Sequence, residues 1–325
     1  MRREGSPFTG VSAVFLKEYA DHLSSVRMRV LELLVVLSGV GVVAVAIINL
    51  RETVTRDQFL FLNLFLFARE DSAVPSLLNL LSILIPLISI GLGFDAVNSE
   101  FNRRTMSRIL AQPIYRDALL MGKFLAGLCT LATGLTALWL LVVGAALVTM
   151  GVPPSGEEVA RSIAFLLVAI AFAGVWLAIA MLFSVIFRSA ATSALCAIGL
   201  WLFLTLVWPI LVPVLVPIFA TPDPLAARVG LPSDSQVDWF VGLSRLSPSA
   251  LFGDASLAVL QPDPNMTRIP TIGMLGQLQG MVRGAALPLN QSLLQAWPQL
   301  TALIGAVIVV FSITYVVFQR QEVRA

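Results

Sequence analysis

The sequence predicts an all-α membrane protein with six transmembrane helices, an N-terminal interfacial elbow helix, and outer interfacial or re-entrant helices before the last span. The 325 residues are 58% hydrophobic and only 12% charged, whereas soluble domains carry about 25% charged residues. Six apolar stretches are also long enough to cross a hydrocarbon core of about 30 Å, which takes about 20 helical residues. We therefore treat residues 1–325 as one transmembrane domain.

Residues 7–27 precede the first span and form the predicted elbow helix. One face of its helical wheel is apolar, and the opposite face carries Lys17, Asp21 and two serines. Such a helix lies in the membrane interface. His22, the only histidine of the chain, lies at the edge of the apolar face and is interpreted as an interfacial or capping residue. The apolar face consists of Phe8, Val11, Phe15, Tyr19, Leu23 and Val26.

The six spans are predicted near residues 30–50, 74–95, 118–150, 161–187, 190–219 and 297–318. Three prolines, Pro209, Pro213 and Pro217, make the end of the fifth span irregular, because each removes a backbone donor. The freed carbonyls then need protein or water nearby. Small and hydroxyl side chains within the spans suit helix packing, although a few could line a substrate path. They are Thr130, Gly134, Thr136, Ser184, Thr192 and Ser193.

Lysine and arginine favour an orientation with both termini in the cytoplasm. The inner segments then hold Arg2, Arg3, Lys17, Arg27, Arg29, Arg103, Arg104, Arg108, Arg116, Lys123, Arg188, Arg320 and Arg324. The outer segments hold Arg51, Arg56, Arg69, Arg161, Arg228, Arg245, Arg268 and Arg283.

Residues 95–117 connect spans two and three on the cytoplasmic side. A helix is predicted from about Ser99 until Pro113 stops it. Its apolar half, Phe101, Met106, Ile109 and Leu110, lies opposite Glu100, Arg103, Arg104 and Arg108. This pattern fits either a docking helix for a cytoplasmic partner or a solvated basic face that only sets topology. Asp95 and Lys123 lie at facing ends of the two spans and could form an ion pair, or both could extend to water.

Residues 220–296 form the outer segment. Two parts are amphipathic enough for short helices, Val237–Leu260 and Ile272–Leu287. Aromatic residues near the membrane surface favour the headgroup layer, so these helices are predicted to cap the outer end.

Several kinds of chemistry are excluded by what the sequence lacks. Gly122-Lys123 is followed by Phe124 and has no upstream glycine of a phosphate loop, so we expect no nucleotide hydrolysis and no enzyme activity in this chain. When the end residues of the predicted spans are left out, the spans carry no ionisable residue that could form a proton relay. No cluster of His, Cys or carboxylate residues at ligand spacing suggests a metal site. The net charge of +2 gives no reason to expect a nucleic-acid partner. Such a protein needs an external motor or is passive.

The order of these elements resembles the type-2 ABC exporter permeases. In that family an acidic residue ends span two, a Glu and a Gly-Thr-Leu-like turn follow, and Pro-x-x-Arg precedes a Gly-Lys that opens span three. Arg103-Arg104 departs from this pattern at the usual glycine. The outer Leu246-Ser247-Pro248-Ser249 resembles the Asn-Pro motif of the NosY-like, multi-copper-enzyme-maturation branch. The matching positions are Asp95, Glu100, Arg104-Thr105-Met106, Pro113-Ile114-Tyr115-Arg116, Gly122-Lys123, the opening Phe15-Leu16-Lys17-Glu18 and the closing Phe318-Gln319-Arg320-Gln321-Glu322.

The resemblance implies an inner-membrane permease subunit that works as a homodimer or with a paralogue. A dimer of soluble ABC ATPase subunits would bind ATP and Mg²⁺ and drive export of an unidentified substrate. The elbow helix, with Phe15, Lys17 and Glu18, would dock into this ATPase. The helix predicted between Ser99 and Pro113 would dock there as well. Glu100, Arg104 and Arg108 are the expected polar contacts, and Phe101 and Ile109 the expected apolar anchors.

Three other functions compete with this interpretation. The chain could pass ATPase motion to an outer protein partner through residues 220–296 without transporting a substrate. A membrane-embedded enzyme would need acid–base or metal residues clustered near the interface. A passive scaffold would need no motor at all.

Overall fold

A computed structural model describes residues 10–53, 60–66, 75–102, 116–151, 153–221, 232–261 and 288–320. Every regular element within these ranges is helical. In chain order they are α1 (Val11–Ser24), α2 (Val26–Thr53), α3 (Leu60–Leu66), α4 (Leu77–Gly93), α5 (Asn98–Asn102), α6 (Arg116–Met150), α7 (Gly156–Ile186), α8 (Ala190–Leu202), a π-helical turn (Phe203–Val207), α9 (Trp208–Phe219), α10 (Asp234–Ser244), α11 (Pro248–Leu260) and α12 (Leu289–Arg320).

Among the residues that the structure describes, six helical runs are long and apolar enough to cross a membrane, which confirms the predicted all-α, multi-pass architecture. The fourth run begins at Gly156 and the sixth at Leu289, earlier than the apolar stretches indicated. The fourth begins early because Ser155 caps it and Glu158 closes a capping box, which satisfies amides that would otherwise lack acceptors. The runs are Met28–Ile47, Leu77–Glu100, Asp117–Thr149, Gly156–Ile186, Ala190–Phe219 and Leu289–Arg320.

The fourth span, α7, lies at the centre of the bundle and contacts α4, α6, α8, α11 and α12. Phe172 and Trp176 are fully buried along it. Its small residues let neighbouring backbones approach closely. At Gly93 of α4, an added Cβ would lie only 2.7 Å from the Cβ of Ala180, so glycine is required at this helix crossing.

The fifth span is interrupted by the π-helical turn just before Pro209. The Trp208 amide donates to the Phe203 carbonyl, and Pro209 has no amide proton. The Leu204 carbonyl instead accepts a hydrogen bond from the Ser247 hydroxyl at 3.1 Å. The predicted irregularity is present at Pro209, and a protein group of the outer segment satisfies the freed carbonyl. Pro213 and Pro217, in contrast, lie within the α-helix α9.

The outer segment corrects one prediction. Val237–Leu260 is not one helix but two, α10 and α11, because Pro248 begins α11 at a position where its missing amide proton costs nothing. α11 packs against α4, α7 and α12 and buries Phe252, Ala255 and Val259 completely. The predicted helix at Ile272–Leu287 lies outside the described residues.

The spans alternate in direction, so the bundle has two distinct ends. At one end, which we call the α1 end, α1 and α5 meet the start of α6, and the Gln319 amide of α12 donates to the Asp117 carboxylate. At the other, the α11 end, α11 meets the starts of α7 and α12. The beginning of α1 and the end of α12 therefore lie at the same end.

Candidate functional site

A buried lysine joins three elements at the α1 end. The side chain of Lys123 on α6 is only 6% exposed. Its Nζ lies 2.9 Å from Glu18 Oε1 on α1 and 3.4 Å from Glu100 Oε1 on α5. The two glutamates are 13% and 15% exposed. One cation thus connects α1 and α5 to α6.

The packing of α1 on α6 brings Glu18 to this lysine. Val14, the buried residue of α1, packs against Gly122, where an added Cβ would lie 2.8 Å from Val14 Cβ. One turn further along α1, the Tyr19 hydroxyl lies 2.9 Å from Thr133 Oγ1. The α1 helix therefore follows α6 closely, and a glycine next to the lysine makes this possible.

The contact face of α1 differs from the predicted apolar face. Phe15 and Tyr19 stack with ring centroids 5.7 Å apart, but Val14 is buried and Glu18 turns inward to Lys123. The helical wheel missed Glu18 because it ranks side chains by polarity alone, and Glu18 turns inward because Lys123 compensates its charge. Lys17 turns outward, is 64% exposed, and pairs with Glu18 and Asp21 at 3.1 and 3.2 Å.

The charges of this cluster act on one another. Burial alone raises the pKa of the Glu18 carboxyl, but attraction and hydrogen bonding to Lys123 and Lys17 outweigh it, so this pKa lies below its ordinary value. Burial works against the charge of Lys17, yet Glu18 and Asp21 raise its pKa above the ordinary value. Both groups are therefore charged near neutral pH.

The start of residues 95–117, the connection predicted to dock the ATPase, is hydrogen-bonded to the end of α7. The Ser184 hydroxyl accepts from the amides of Val97 and Asn98 at 3.0 and 3.2 Å. The Asn102 side chain donates to the Arg188 carbonyl at 3.0 Å. The α5 helix thus lies between α6, through Glu100, and α7, through Ser184.

The other predicted docking residues are placed only in part. Phe101 lies in α5, next to Glu100, whereas Arg104, Arg108 and Ile109 lie outside the described residues. Asp95 lines a cavity of about 210 Å³ together with Lys123, Glu18 and Glu100. The ion pairs seen for Lys123 are those with the two glutamates, and a pair with Asp95 stays a prediction. Within the described ranges, no three His, Cys, Asp or Glu side chains converge as metal ligands do.

A second charged group, at the α11 end, was counted in the sequence only as a topology signal. Arg161 of α7 is fully buried. Its guanidinium donates to Glu157 at 2.7 Å and, at 3.0 Å each, to the Val259 carbonyl and the Ser292 hydroxyl. It therefore ties α7 to α11 and α12. The spacing of Glu157 and Arg161 by four residues, which suits helical ion pairs, was the available sequence signal.

The comparisons with known proteins agree with this architecture. The sequence model of the family described as ABC-2 family transporter protein matches residues 12–323, which includes all the elements described above except the first residue of α1. A search of curated proteins finds no match. The family match does not distinguish the NosY-like branch, which stays a prediction. Because the match extends over nearly the whole chain, this multi-pass membrane protein belongs to the ABC-2 transporter family.

Proposed function

We propose that this chain is the permease subunit of an ATP-driven exporter, with ATP and Mg²⁺ bound by separate ABC ATPase subunits in the cytoplasm. The observation that supports this proposal most directly is that Lys123 forms ion pairs with both Glu18 and Glu100. Both elements proposed to touch the ATPase, α1 and α5, meet at this one buried side chain. Hydrolysis is assigned to the partner because no phosphate-binding loop occurs in the chain.

The contacts suggest a route for coupling. Closure of the ATPase dimer would push α5 and α1, and the push would pass through Glu100 and Glu18 to α6 and through Ser184 to α7. Closely packed helices change between discrete arrangements rather than deform continuously. The spans would therefore move between an inward-open and an outward-open packing.

The proposed assembly contains two permease copies, or one copy and a paralogue, in the inner membrane, with both termini and the α1 end in the cytoplasm. The lysine and arginine distribution supports this orientation. Exposed apolar side chains along α8 and α9, such as Leu195 and Ile210 at 70% and 71% exposure, offer surface for lipid and for a second copy.

A specific observation also favours the alternative in which the chain passes ATPase motion to an outer protein partner without transporting a substrate. The Trp208 indole donates to the Leu243 carbonyl at 2.8 Å, and Ser247 donates to Leu204. Motion of the fifth span would therefore reach α10 and α11 directly. An outer protein that co-purifies with the chain, together with the absence of any substrate-stimulated ATPase activity, would favour this alternative.

The test is purification of the tagged chain from its native membrane, followed by identification of bound proteins. We expect an ABC ATPase subunit among the bound proteins. The Phe101→Ala substitution should reduce both the amount of ATPase recovered and the stimulation of ATP hydrolysis by the permease. Phe219→Ala removes an exposed phenylalanine from α9 and serves as the matched control. Recovery of no ATPase with the unaltered chain would overturn the proposal, and equal behaviour of the two variants would remove Phe101 from the docking site.

A further inference from the structure

A second cavity lies deeper in the bundle, between α2, α4 and α6, and has a volume of about 220 Å³. Its wall is almost entirely apolar and includes Met28, Val35, Ile85, Ile88 and Leu131. We call it the α2 cleft. A water molecule occupies about 30 Å³ of liquid, so the cleft has room for about seven water-sized groups. That is enough for one alkyl chain of medium length and too little for a two-chain lipid.

One acidic side chain, Glu32 of α2, lines this apolar wall. The hydroxyl of Thr133, also in the lining, already donates to the Cys129 carbonyl at 2.8 Å and contacts Tyr19. Glu32 differs, because among the described residues no hydrogen bond or ion pair to its carboxylate is seen. A carboxylate in apolar surroundings is costly unless it is paired, so a bound cation would complement Glu32 within the described part of the chain.

The position of Glu32 indicates how a ligand would lie. Met28, Glu32, Val35 and Val36 share one face of α2, and the eight-residue rise between the first and last of them is about 12 Å. On the same helix Leu33 and Leu37 are exposed by 57% and 62%. The cleft therefore lies next to an exposed apolar surface of a predicted span, which is a route by which an amphiphile could enter from the membrane without crossing water.

We propose that the α2 cleft binds a single-chain amphiphile with a primary ammonium head, which pairs with Glu32 while its alkyl chain lies against Val35, Ile85 and Ile88. Charge-assisted hydrogen bonds are the stronger class, and an anionic head would be repelled by the carboxylate. This inference rests on the proposed export function, since it names the class of cargo. Binding to the permease needs no ATPase, so the two proposals fail separately.

The test measures binding of octylamine, which is an ammonium ion at neutral pH, and of octanol to the purified chain by equilibrium dialysis. We expect Glu32→Gln to weaken octylamine binding by about tenfold, the loss of one charge-assisted hydrogen bond, and to leave octanol binding unchanged. Asp238→Asn, which removes an exposed carboxylate from α10, is the matched control. Equal losses for amine and alcohol, or no loss for the amine, would overturn the proposal.

A second variant pair tests the location of the site independently of charge. An added Cβ at Gly134, which lines the cleft, meets nothing within 4 Å, so Gly134→Leu places its side chain in the free volume. We expect it to reduce binding of both octylamine and octanol. Gly144→Leu, on the same helix and also in open space, should reduce neither. Unchanged octylamine binding to Gly134→Leu would place the ligand elsewhere and overturn the proposal.

Discussion

Lys123 is a buried cation that joins three elements at the α1 end. Its two carboxylate partners are each less than one-sixth exposed, so water compensates little if the cation is removed. Breaking a buried ion pair by deleting one partner is costly because the remaining charge is stranded.

We predict that Lys123→Met lowers the free energy of unfolding by about 3 kcal/mol, since it leaves Glu18 and Glu100 without their shared cation. Lys17→Met removes an outward lysine that is 64% exposed and should cost under about 1 kcal/mol. Thermal unfolding of the detergent-purified variants measures the difference. Similar losses from the two substitutions would contradict the importance of burial.

The lowered pKa of Glu18 predicts a pH dependence with a definite sign. The folded carboxyl holds its proton less tightly than the unfolded one, whose pKa is about 4.3. The stabilisation is therefore complete above that value and is lost as the pH falls through the lower folded pKa. Unfolding temperatures measured from pH 7 to pH 3 should decline more steeply for the natural chain than for Glu18→Gln. Parallel declines would rule out this contribution.

For individual residues, the sequence was better at predicting which charged positions are important than at predicting which side chains they contact. Lys123 was expected near Asp95, because both end facing spans, and the two do line one cavity. The carboxylate 2.9 Å from the lysine is Glu18, 105 residues away, and periodicity along one helix contains no information about such distant pairs. Arg161 was similarly assigned to an outer loop, because its partners on α11 and α12 become neighbours only in the folded bundle.

Among the elements, α1 and α6 form the contact most open to test. Their close approach at Gly122 leaves no room for a side chain, since an added Cβ would lie 2.7 Å from Val14 Cγ1 and 3.3 Å from the backbone nitrogen of Phe15. Overpacking of this kind typically costs 1–3 kcal/mol.

We predict that Gly122→Ala destabilises the protein by about 2 kcal/mol, because the clash forces α1 away from α6. Gly144→Ala, on the same helix but with nothing within 4 Å of its added Cβ, should be neutral or slightly stabilising, as alanine is the better helix former. Limited proteolysis within α1 and thermal unfolding report the two effects. A Gly122→Ala protein as resistant as the natural chain would show that α1 adapts without cost.

The sequence predicted correctly that the elements are helices, but it predicted the residues at which they begin and end less well. Long apolar runs could only be helices, because lipid leaves no other partner for backbone groups. The early start of α7 depends on the Ser155–Glu158 capping box, which lies in polar sequence that hydropathy discounts. The division of the outer helix into α10 and α11 was detectable at Pro248, since proline favours the first turn of a new helix.

For the whole molecule, composition and the spacing of apolar runs were sufficient to predict six spans and a helical bundle. The location of α11, packed against α7 beside the stacked rings of Phe172 and Phe252 at 4.5 Å, was not predictable. Its apolar content fits a membrane surface as well as a protein interior, and only tertiary contacts decide between them.

The orientation of the whole bundle is open to a labelling test. We predict that Lys17→Cys at the α1 end reacts with an impermeant maleimide only when the cytoplasmic face is accessible, and that Asp238→Cys on α10 reacts from the outside, because the inner segments carry most of the lysine and arginine. The native Cys129 and Cys196 are partly buried and are replaced by alanine in both backgrounds. Labelling of Asp238→Cys from the cytoplasm would invert the topology.

The bond from Ser247 to the Leu204 carbonyl has a consequence for biosynthesis. The hydroxyl lies 43 residues after the carbonyl that it satisfies, so the fifth span is synthesised well before the group that completes it. Until Ser247 has reached its folded position, the Leu204 carbonyl lacks this hydrogen bond, a state that costs free energy in hydrocarbon. We therefore expect insertion of this span to be complete only when α10 and the start of α11 have been translated and have packed against it.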